Sequence, residues 1–280
     1  MAKPKSKSSR RRGEQQFDDA GPTTVPMRKK SAQHRANEAW NRNEAKPLVC
    51  KNDAQKNYLA SIVANQVTVG VGPAGTGKTF VSVKYAAQQL DLGRIQRIVV
   101  VRPIIESGKG MGYLKGGIEE KTAPYQVPFL EVLEDHYGAA HLKAKLECAH
   151  PVIIFVAPEF IRGRTFKDAF VILDEAQNMT PDQMKTFLSR LGEDTTCIIQ
   201  GDLDQKDIPG PSGLADGIEI LDGMNNVGIC EFVEEDIVRS GFCKEVMLRY
   251  RRRAMLQQQP AVAVKTTAAK PRAPRKAATK

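Results

Sequence analysis

The sequence has few of the residues that build disulfide-linked, zinc-binding or membrane-spanning proteins. Its 280 residues include five cysteines, four histidines and one tryptophan. The cysteines are scattered, odd in number and without a Cys-x-x-Cys pair, so a disulfide framework and a zinc site are both disfavoured. No apolar run reaches the roughly 18 residues that a membrane span needs, and no signal-peptide core follows the basic start. We therefore expect reduced thiols, no membrane partner and a cytoplasmic location.

Acidic residues are scarce at the start of the chain and missing from its end. Residues 1–48 hold twelve basic and five acidic residues, while residues 246–280 hold ten basic residues and no acid. The middle is therefore acidic, although the whole chain has a net charge of +10. The ends are rich in Lys, Arg, Ser, Ala, Pro and Gln, which bury too little apolar surface to offset the entropy of ordering. This predicts disordered basic tails over 1–48 and 249–280 around one folded domain over 49–248.

A glycine-rich loop lies between a predicted strand and a predicted helix. Its sequence, GPAGTGKT, matches the phosphate-binding pattern G-x-x-x-x-G-K-[ST] at every fixed position. The glycines let backbone N–H groups turn towards nucleotide phosphates, the lysine supplies a positive charge, and the threonine supplies a hydroxyl ligand for Mg²⁺. A glycine-rich turn that contains Lys-Thr by chance is the alternative, which the flanking strand and helix disfavour. The predicted ATP-binding residues of the loop are Gly72, Pro73, Ala74, Gly75, Thr76, Gly77, Lys78 and Thr79.

Two carboxylates follow a second predicted strand. The segment FVILDEAQNMT has four apolar residues followed by Asp174 and Glu175. Open α/β sheets bind ligands at the carboxyl ends of their strands, so these acids are expected near the phosphate loop. Their negative charge suits two roles: Asp174 would hold Mg²⁺ together with Thr79, and Glu175 would polarise an attacking water. Two acids at the start of an ordinary loop are the alternative, which the upstream phosphate loop disfavours.

Further polar residues are predicted near the same edge of the sheet. A strand at 197–200 is followed by Gln205, which could touch a γ-phosphate or its water. Upstream of the phosphate loop, a predicted helix presents Gln55, Leu59, Ile62 and Val63 on one face. Gln55 is placed to meet the adenine edge, although a solvated helix residue fits the sequence at least as well.

A long loop after the strand at 97–104 mixes positive charge with aromatic residues, as single-strand binding requires. An ordinary surface loop fits the same sequence about equally well. The candidate nucleic-acid residues in this loop and elsewhere are Arg102, Lys109, Tyr113, Lys115, Arg162 and Arg164.

Taken in order, these segments resemble the PhoH-like family of P-loop ATPases, which is related to superfamily 1 helicases. The resemblance spans about residues 52–246 and is carried by VGPAGTGKT, VVVRPIIESG with MGYLKGG, RGRTFKDAFVILDEAQN, QGDLDQKDIP and DIVRS. It implies an α/β, RecA-like P-loop domain with a mostly parallel sheet. It also implies ATP and Mg²⁺ as cofactors, single-stranded RNA or DNA as a partner, and a homo-oligomeric ring, for which a hexamer is expected.

The resemblance also implies individual roles. Gln55 would contact adenine, and the catalytic set would be Lys78, Asp174, Glu175, Gln205 as γ-phosphate sensor, and Arg239 as an arginine finger that can act across a subunit boundary. Relatives usually carry threonine before the sensor glutamine, where this chain has Asp204.

The leading hypothesis is an ATP-driven motor or remodeller of nucleic acid. A nucleotide-switched nucleic-acid-binding protein without unwinding activity is the main alternative. A small-molecule phosphotransferase is a further alternative, which the Asp-Glu-Ala-Gln run at 174–177 and Gln205 disfavour, because such kinases need a substrate pocket and lid instead.

Overall fold

The structure is a computed structural model that describes residues 46–104, 118–239 and 241–258. Most of the two predicted tails therefore lies outside the described residues. So do three of the candidate nucleic-acid residues, Lys109, Tyr113 and Lys115.

Six parallel strands form the central sheet of the described part of the chain, in the order β3-β2-β4-β5-β1-β6. They are rich in β-branched and other apolar residues, as expected of parallel strands covered on both faces. The predicted fold class is confirmed: this is an α/β, RecA-like P-loop fold, and every described strand pairing is parallel. The strands are β1 (Val67–Val71), β2 (Arg97–Val101), β3 (Ile153–Val156), β4 (Ala169–Leu173), β5 (Thr196–Gly201) and β6 (Val227–Glu231).

Helices follow most of the strands, and several begin at side-chain caps. Asn52 accepts a hydrogen bond from the backbone N–H of Gln55 at the start of the first helix. Thr180 and Gln183 form the capping box predicted from the sequence, with Pro181 at the first helical position. The helices are α1 (Asp53–Ala64), α2 (Lys78–Asp91), α3 (Ile118–Tyr137), α4 (Ala139–Glu147), α5 (Pro181–Leu188), α6 (Gly213–Leu221) and α7 (Gly241–Gln258).

The apolar core has two layers, one on each face of the sheet. Successive residues of a strand point to opposite faces, so Ile198 packs in one layer and Ile199 in the other. The first layer includes Phe129 of α3, and the second includes Phe187 of α5. The two layers fix the helices on the sheet, and thereby fix the loops at the carboxyl ends of the strands.

The structure corrects the predicted inner face of α1. Val63 is 63% exposed, whereas Tyr58 is completely buried. The ring of Tyr58 fits because Gly70 of β1 has no side chain: a Cβ at Gly70 would lie 2.8 Å from the ring. Tyr58 also meets Phe232 edge-on, with ring centroids 5.3 Å apart.

Two other elements differ from their predicted extents. The helical segment predicted over 126–147 is divided at Gly138, whose φ of 73° ends one helix and precedes the next. Helix α7 continues to Gln258, so residues 249–258 are helical, although the sequence assigned them to a tail. Within the described ranges, none of the helices is long and apolar enough to cross a membrane.

Candidate functional site

The glycine-rich loop joins β1 to α2 and encloses the amine of its own lysine. Gly75 and Gly77 have φ angles of 86° and 89°, where a side chain would strain the backbone. Nζ of Lys78 donates hydrogen bonds to the carbonyl oxygens of Gly72 at 2.7 Å and Pro73 at 2.9 Å. A charged amine is therefore held at the centre of the loop, beside the N-terminus of α2, where a helix attracts anions.

Burial and the neighbouring carboxylates shift the pKa of Lys78 in opposite directions. Burial lowers the pKa of its amine, because a charge is less stable away from water. The carboxylates of Asp202, Asp174 and Glu175 oppose that shift. An amine so placed gains further stabilisation from any phosphate that enters the loop.

Asp174 and Glu175 follow β4, as predicted, but their environments differ. Asp174 is 7% exposed, and its burial raises the pKa of the carboxyl to about 6. Nη1 of Arg102 lies 3.0 Å from Oδ2 of Asp174 and opposes this shift. Arg102 also lies 3.6 Å from Glu175, so one guanidinium is shared by both acids.

The backbone of Glu175 has the left-handed conformation, with φ 52°. The other non-glycine residues with positive φ among the described positions are Asp168, Asp194 and Asn226. Asp and Asn tolerate this conformation better than Glu does. Strain of this kind costs on the order of 1–3 kcal/mol and is typical of functional positions.

Gln177 holds the side chain of Glu175, and it was not among the site residues predicted from the sequence. Its Nε2 lies 2.5 Å from Oε2 of Glu175, and its Oε1 accepts from the backbone N–H of Asp202 at 3.1 Å. Gln177 is fully buried. Its position in the Asp-Glu-Ala-Gln run could have predicted this role, because a polar residue close to two acids in sequence can hydrogen-bond to one of them.

Gln205 lies on the short 3₁₀ helix Leu203–Gln205 after β5. Its Nε2 donates to Oδ2 of Asp202 at 2.7 Å, and the residue is exposed. The side chain is therefore tethered at one end and open to solvent.

Arg239 lies beside the phosphate loop of its own chain. The backbone N–H of Val238 donates to the carbonyl of Gly75 at 3.0 Å, and a Cβ at Gly75 would lie 2.8 Å from Nε of Arg239. Arg239 therefore lines the cavity of its own chain, and its role as an arginine finger, within the chain or across a subunit boundary, stays a prediction.

Gln55 is buried behind the loop. Its Nε2 donates to the carbonyl of Thr76 at 2.8 Å, and its Oε1 accepts from the backbone N–H of Lys51 at 2.7 Å. In this structure its amide supports the loop backbone, and its contact with adenine stays a prediction.

One cavity of about 280 Å³ collects most of the predicted residues. It is lined by the loop and by Arg102, predicted as a nucleic-acid contact and found here between two acids. Arg162 and Arg164 are exposed on the segment that leads to β4. The cavity is lined by Ala74, Gly75, Thr76, Gly77, Lys78, Thr79, Phe80, Arg102, Pro128, Asp174, Glu175, Gly201, Asp202, Gln205 and Arg239.

The oxygen atoms beside the loop suit a metal that arrives with a nucleotide. Across the described residues, no group of three or more His, Cys, Asp or Glu side chains could hold a metal ion. Mg²⁺ usually takes only one or two protein oxygens when phosphates and water complete its shell. The hydroxyl of Thr79 and the carboxylate of Asp174 could supply these two oxygens. They lie near each other, because Nε2 of Gln200 donates a hydrogen bond to each, at 2.9 and 2.7 Å.

The loop, the parallel sheet and the carboxylates at its edge define a P-loop nucleotide-binding protein of the RecA-like class. Its sheet places β5 between the strand of the phosphate loop, β1, and the strand of the two acids, β4. The family of PhoH-like proteins matches residues 47–251, and the chain belongs to that family.

The chain is similar to several curated members of the family. It is 42% identical over 212 residues to Protein PhoH of Escherichia coli K12, a match that covers 74% of this chain and 59% of that protein. A PhoH-like protein of Bacillus subtilis is 41% identical over 210 residues, covering 74% and 65% respectively. The chain thus spans less than two thirds of the length of these relatives.

One solved structure with a similar outline is a mutant of the ATPase domain of the large terminase of Thermus phage P74-26. It has a TM-score of 0.42 and 15% identity, with 75% of this chain and 88% of that chain covered.

Proposed function

We propose that this chain is an ATPase that acts as a motor or remodeller on single-stranded RNA or DNA. The observation that carries the proposal is the shared cavity: the phosphate loop, the two carboxylates after β4, Gln205 and Arg239 all line it. Phosphoryl transfer depends mainly on positioning and on stabilising charge, and these residues provide both.

The loop and the two carboxylates after β4 have defined parts in the proposed reaction. The loop amides and Lys78 bind the phosphates, while Thr79 and Asp174 are the residues that would hold Mg²⁺. Mg²⁺, when bound, neutralises part of the phosphate charge. Glu175, oriented by Gln177, accepts the proton of the attacking water.

Two residues complete the reaction from the open side of the cavity. Gln205 senses the γ-phosphate, and Arg239 stabilises the charge that develops as the phosphate leaves. Both line the cavity from their own chain.

Charge supports the nucleic-acid part of the proposal. We assign ATP hydrolysis to a domain over residues 49–248 and first contact with nucleic acid to the basic segments beside it. The described part of the second segment exposes Arg249, Arg252 and Arg253 on α7. Each phosphate that such residues neutralise adds about 0.7 to 0.9 to the slope of log affinity against log salt concentration.

The test is the rate of ATP hydrolysis measured alone, with single-stranded RNA and with single-stranded DNA, followed by strand displacement. We expect hydrolysis that nucleic acid stimulates, and displacement that requires ATP. Glu175→Gln is the control, since it preserves shape but should lower the rate at least about 100-fold. Hydrolysis at an undiminished rate in Glu175→Gln would contradict the role of Glu175.

The same measurements separate the alternatives. ATP-dependent binding of nucleic acid without displacement would favour a nucleotide-switched binding protein, and transfer of phosphate to an acceptor other than water would favour a phosphotransferase.

We also propose a homo-oligomeric ring, with a hexamer expected from the family resemblance. Light scattering after size-exclusion chromatography, with and without nucleotide, measures the subunit number directly, and a monomer under both conditions would exclude the ring.

A further inference from the structure

The side chain of Gln200 lies between two residues that the proposed function assigns to the metal. Gln200 is the penultimate residue of β5, and its side chain is completely buried. Burying an amide among apolar strands is costly unless its hydrogen bonds are made. The free energy of burying Gln200 therefore depends on whether the residues around it form hydrogen bonds with its amide.

The nitrogen of the Gln200 amide joins Thr79 to Asp174. Its Nε2 donates to Oγ1 of Thr79 at 2.9 Å and to Oδ1 of Asp174 at 2.7 Å. An ionised carboxylate only accepts hydrogen bonds, so the NH₂ group must be the end that faces Asp174. Because the two N–H bonds of an amide are rigid and coplanar, one group fixes both oxygens relative to each other.

The oxygen of the same amide is held from the opposite side. Oε1 of Gln200 accepts from Oγ of Ser82 at 3.3 Å and lies 3.5 Å from the hydroxyl of Tyr58. These contacts are longer than those of the nitrogen, but Ser82 and Tyr58 are both completely buried. A flipped amide would turn its donors towards these hydroxyls and its oxygen towards Asp174, so the observed orientation is strongly preferred.

We propose that Gln200 is a positioning residue that holds the Thr79 hydroxyl and the Asp174 carboxylate ready to bind Mg²⁺ with a nucleotide. The inference rests on the proposed function, because Thr79 and Asp174 are metal ligands only within it. Side chains that hydrogen-bond to metal ligands orient them, and losing such a side chain typically lowers metal affinity about 10- to 100-fold. Gln200 therefore governs the Mg²⁺ requirement of nucleotide binding, while the phosphate loop governs binding itself.

The variant Gln200→Met tests this, because methionine has a similar length and volume but cannot donate hydrogen bonds. The measurement is fluorescence anisotropy of a fluorescent ADP analogue, first in EDTA and then across a Mg²⁺ titration. We expect nearly unchanged affinity in EDTA, and a rise of about tenfold or more in the Mg²⁺ concentration that gives half the gain in affinity. The matched control Tyr58→Phe removes a hydroxyl that lies 3.5 Å from the amide oxygen, leaves both hydrogen bonds of the amide nitrogen in place, and should leave that Mg²⁺ concentration nearly unchanged.

A second variant, Gln200→Asn, keeps the amide but is one methylene too short to reach both oxygens, so the same loss is expected. It also serves if Gln200→Met does not fold. A wild-type Mg²⁺ requirement in either folded variant would overturn the proposal. Equal loss of affinity with and without Mg²⁺ would also overturn it, because that result indicates general structural support.

The wild-type protein separates failure of this inference from failure of the proposed function. Normal Mg²⁺-dependent binding without any ATP hydrolysis would contradict the proposed function and leave the role of Gln200 standing. Nucleotide binding that gains nothing from Mg²⁺ would overturn the role of Gln200 and the metal-ligand roles of Thr79 and Asp174, while hydrolysis stimulated by nucleic acid would still support the proposed motor.

Discussion

The two walls of the cavity differ in how firmly the fold holds them. One wall contains Lys78, Thr79 and the buried Asp174, and Gln200, which does not itself line the cavity, joins Asp174 to Thr79 by hydrogen bonds. On the other wall, Gln205 and Arg239 are exposed; Gln205 donates to Asp202 at 2.7 Å, and Nη1 of Arg239 lies 3.8 Å from Sγ of Cys243. The first wall is assembled by folding itself, whereas the second keeps side-chain freedom that a bound nucleotide would have to restrict.

The difference teaches which residues act before the reaction and which act during it. Groups fixed by the fold bind phosphate and metal without further ordering, so changing them should affect binding and stability. Groups that become ordered only around the reacting phosphate should affect turnover more than binding.

The largest effect is expected from Arg239→Ala on the exposed wall. Losing an arginine that stabilises the leaving phosphate costs on the order of 10³-fold in rate, with little change in nucleotide affinity. Steady-state hydrolysis and nucleotide titration measure the two quantities. The matched control is Arg249→Ala, which removes an exposed arginine paired with Glu245 within α7 and should leave basal hydrolysis unchanged.

Mixing Arg239→Ala with Lys78→Ala subunits tests whether Arg239 serves its own subunit. Because Arg239 lies against its own Gly75, no mixed interface should combine an intact loop with an intact arginine. We expect no recovery of activity at any mixing ratio. Recovery would show that Arg239 completes a neighbour's site in the assembled protein.

The next effect is expected from Lys78→Ala on the buried wall. Its amine is the loop's own point charge, and charge-assisted hydrogen bonds contribute about 1.5–3 kcal/mol each. Nucleotide affinity should therefore fall by roughly 10- to 100-fold or more, measured by calorimetric titration. Undiminished affinity would mean that the backbone of the loop binds phosphate unaided.

A smaller effect concerns the stability of the ligand-free protein. Burial raises the pKa of Asp174 from 3.8 to about 6, so between these values the folded state binds more protons than the unfolded state. Stability should therefore fall as the pH rises from about 4 to about 6 and stay level above that. Asp174→Asn removes this slope and should stabilise the apo protein at pH 7 by on the order of 1–3 kcal/mol.

Thermal unfolding of the wild type and Asp174→Asn without nucleotide, between pH 4 and 8, checks this prediction. The two stability curves should converge at the acidic end, where Asp174 is protonated. A constant difference across the range would show that Asp174 keeps an ordinary pKa.

The smallest effect is expected at the cysteines. Cys197 lies on β5 with Gln200, is completely buried, and has its pKa raised by burial, whereas Cys148 is exposed. A thiol reagent should label Cys148 quickly and Cys197 only when β5 separates from the sheet. Mass spectrometry of the labelled peptides measures both rates. Rapid labelling of Cys197 in the native protein would show that the buried wall opens readily.

Local patterns in the sequence predicted the parts of the molecule that depend on neighbouring residues. The phosphate loop, the acids after β4 and the capping box at Thr180 each depend on a few adjacent residues, and the structure places all of them where they were expected. Tyr58 was missed because its burial depends on Gly70, a residue of another element. Gln200 was missed because a single polar residue at the end of an apolar strand gives no sign of its partners.

Charge pairing was the least predictable part of the site. Arg102 follows a buried strand, and the sequence suggested a contact with nucleic acid. Its pairing with Asp174 and Glu175 depends on β2 and β4 lying side by side, which only the strand order reveals. Likewise, the place of Arg239 depends on a backbone hydrogen bond between Val238 and Gly75, far apart in sequence.

The left-handed backbone at Glu175 has a consequence for engineering and for natural variation. Glycine adopts that conformation readily, so a search for thermostable variants that fits residues to backbone angles would favour glycine at position 175. The gain in melting temperature would come with loss of the carboxylate to which we assign the chemistry. Selection for activity and selection for heat resistance therefore oppose each other at this one position, and a hardier but inactive variant is the outcome to expect there.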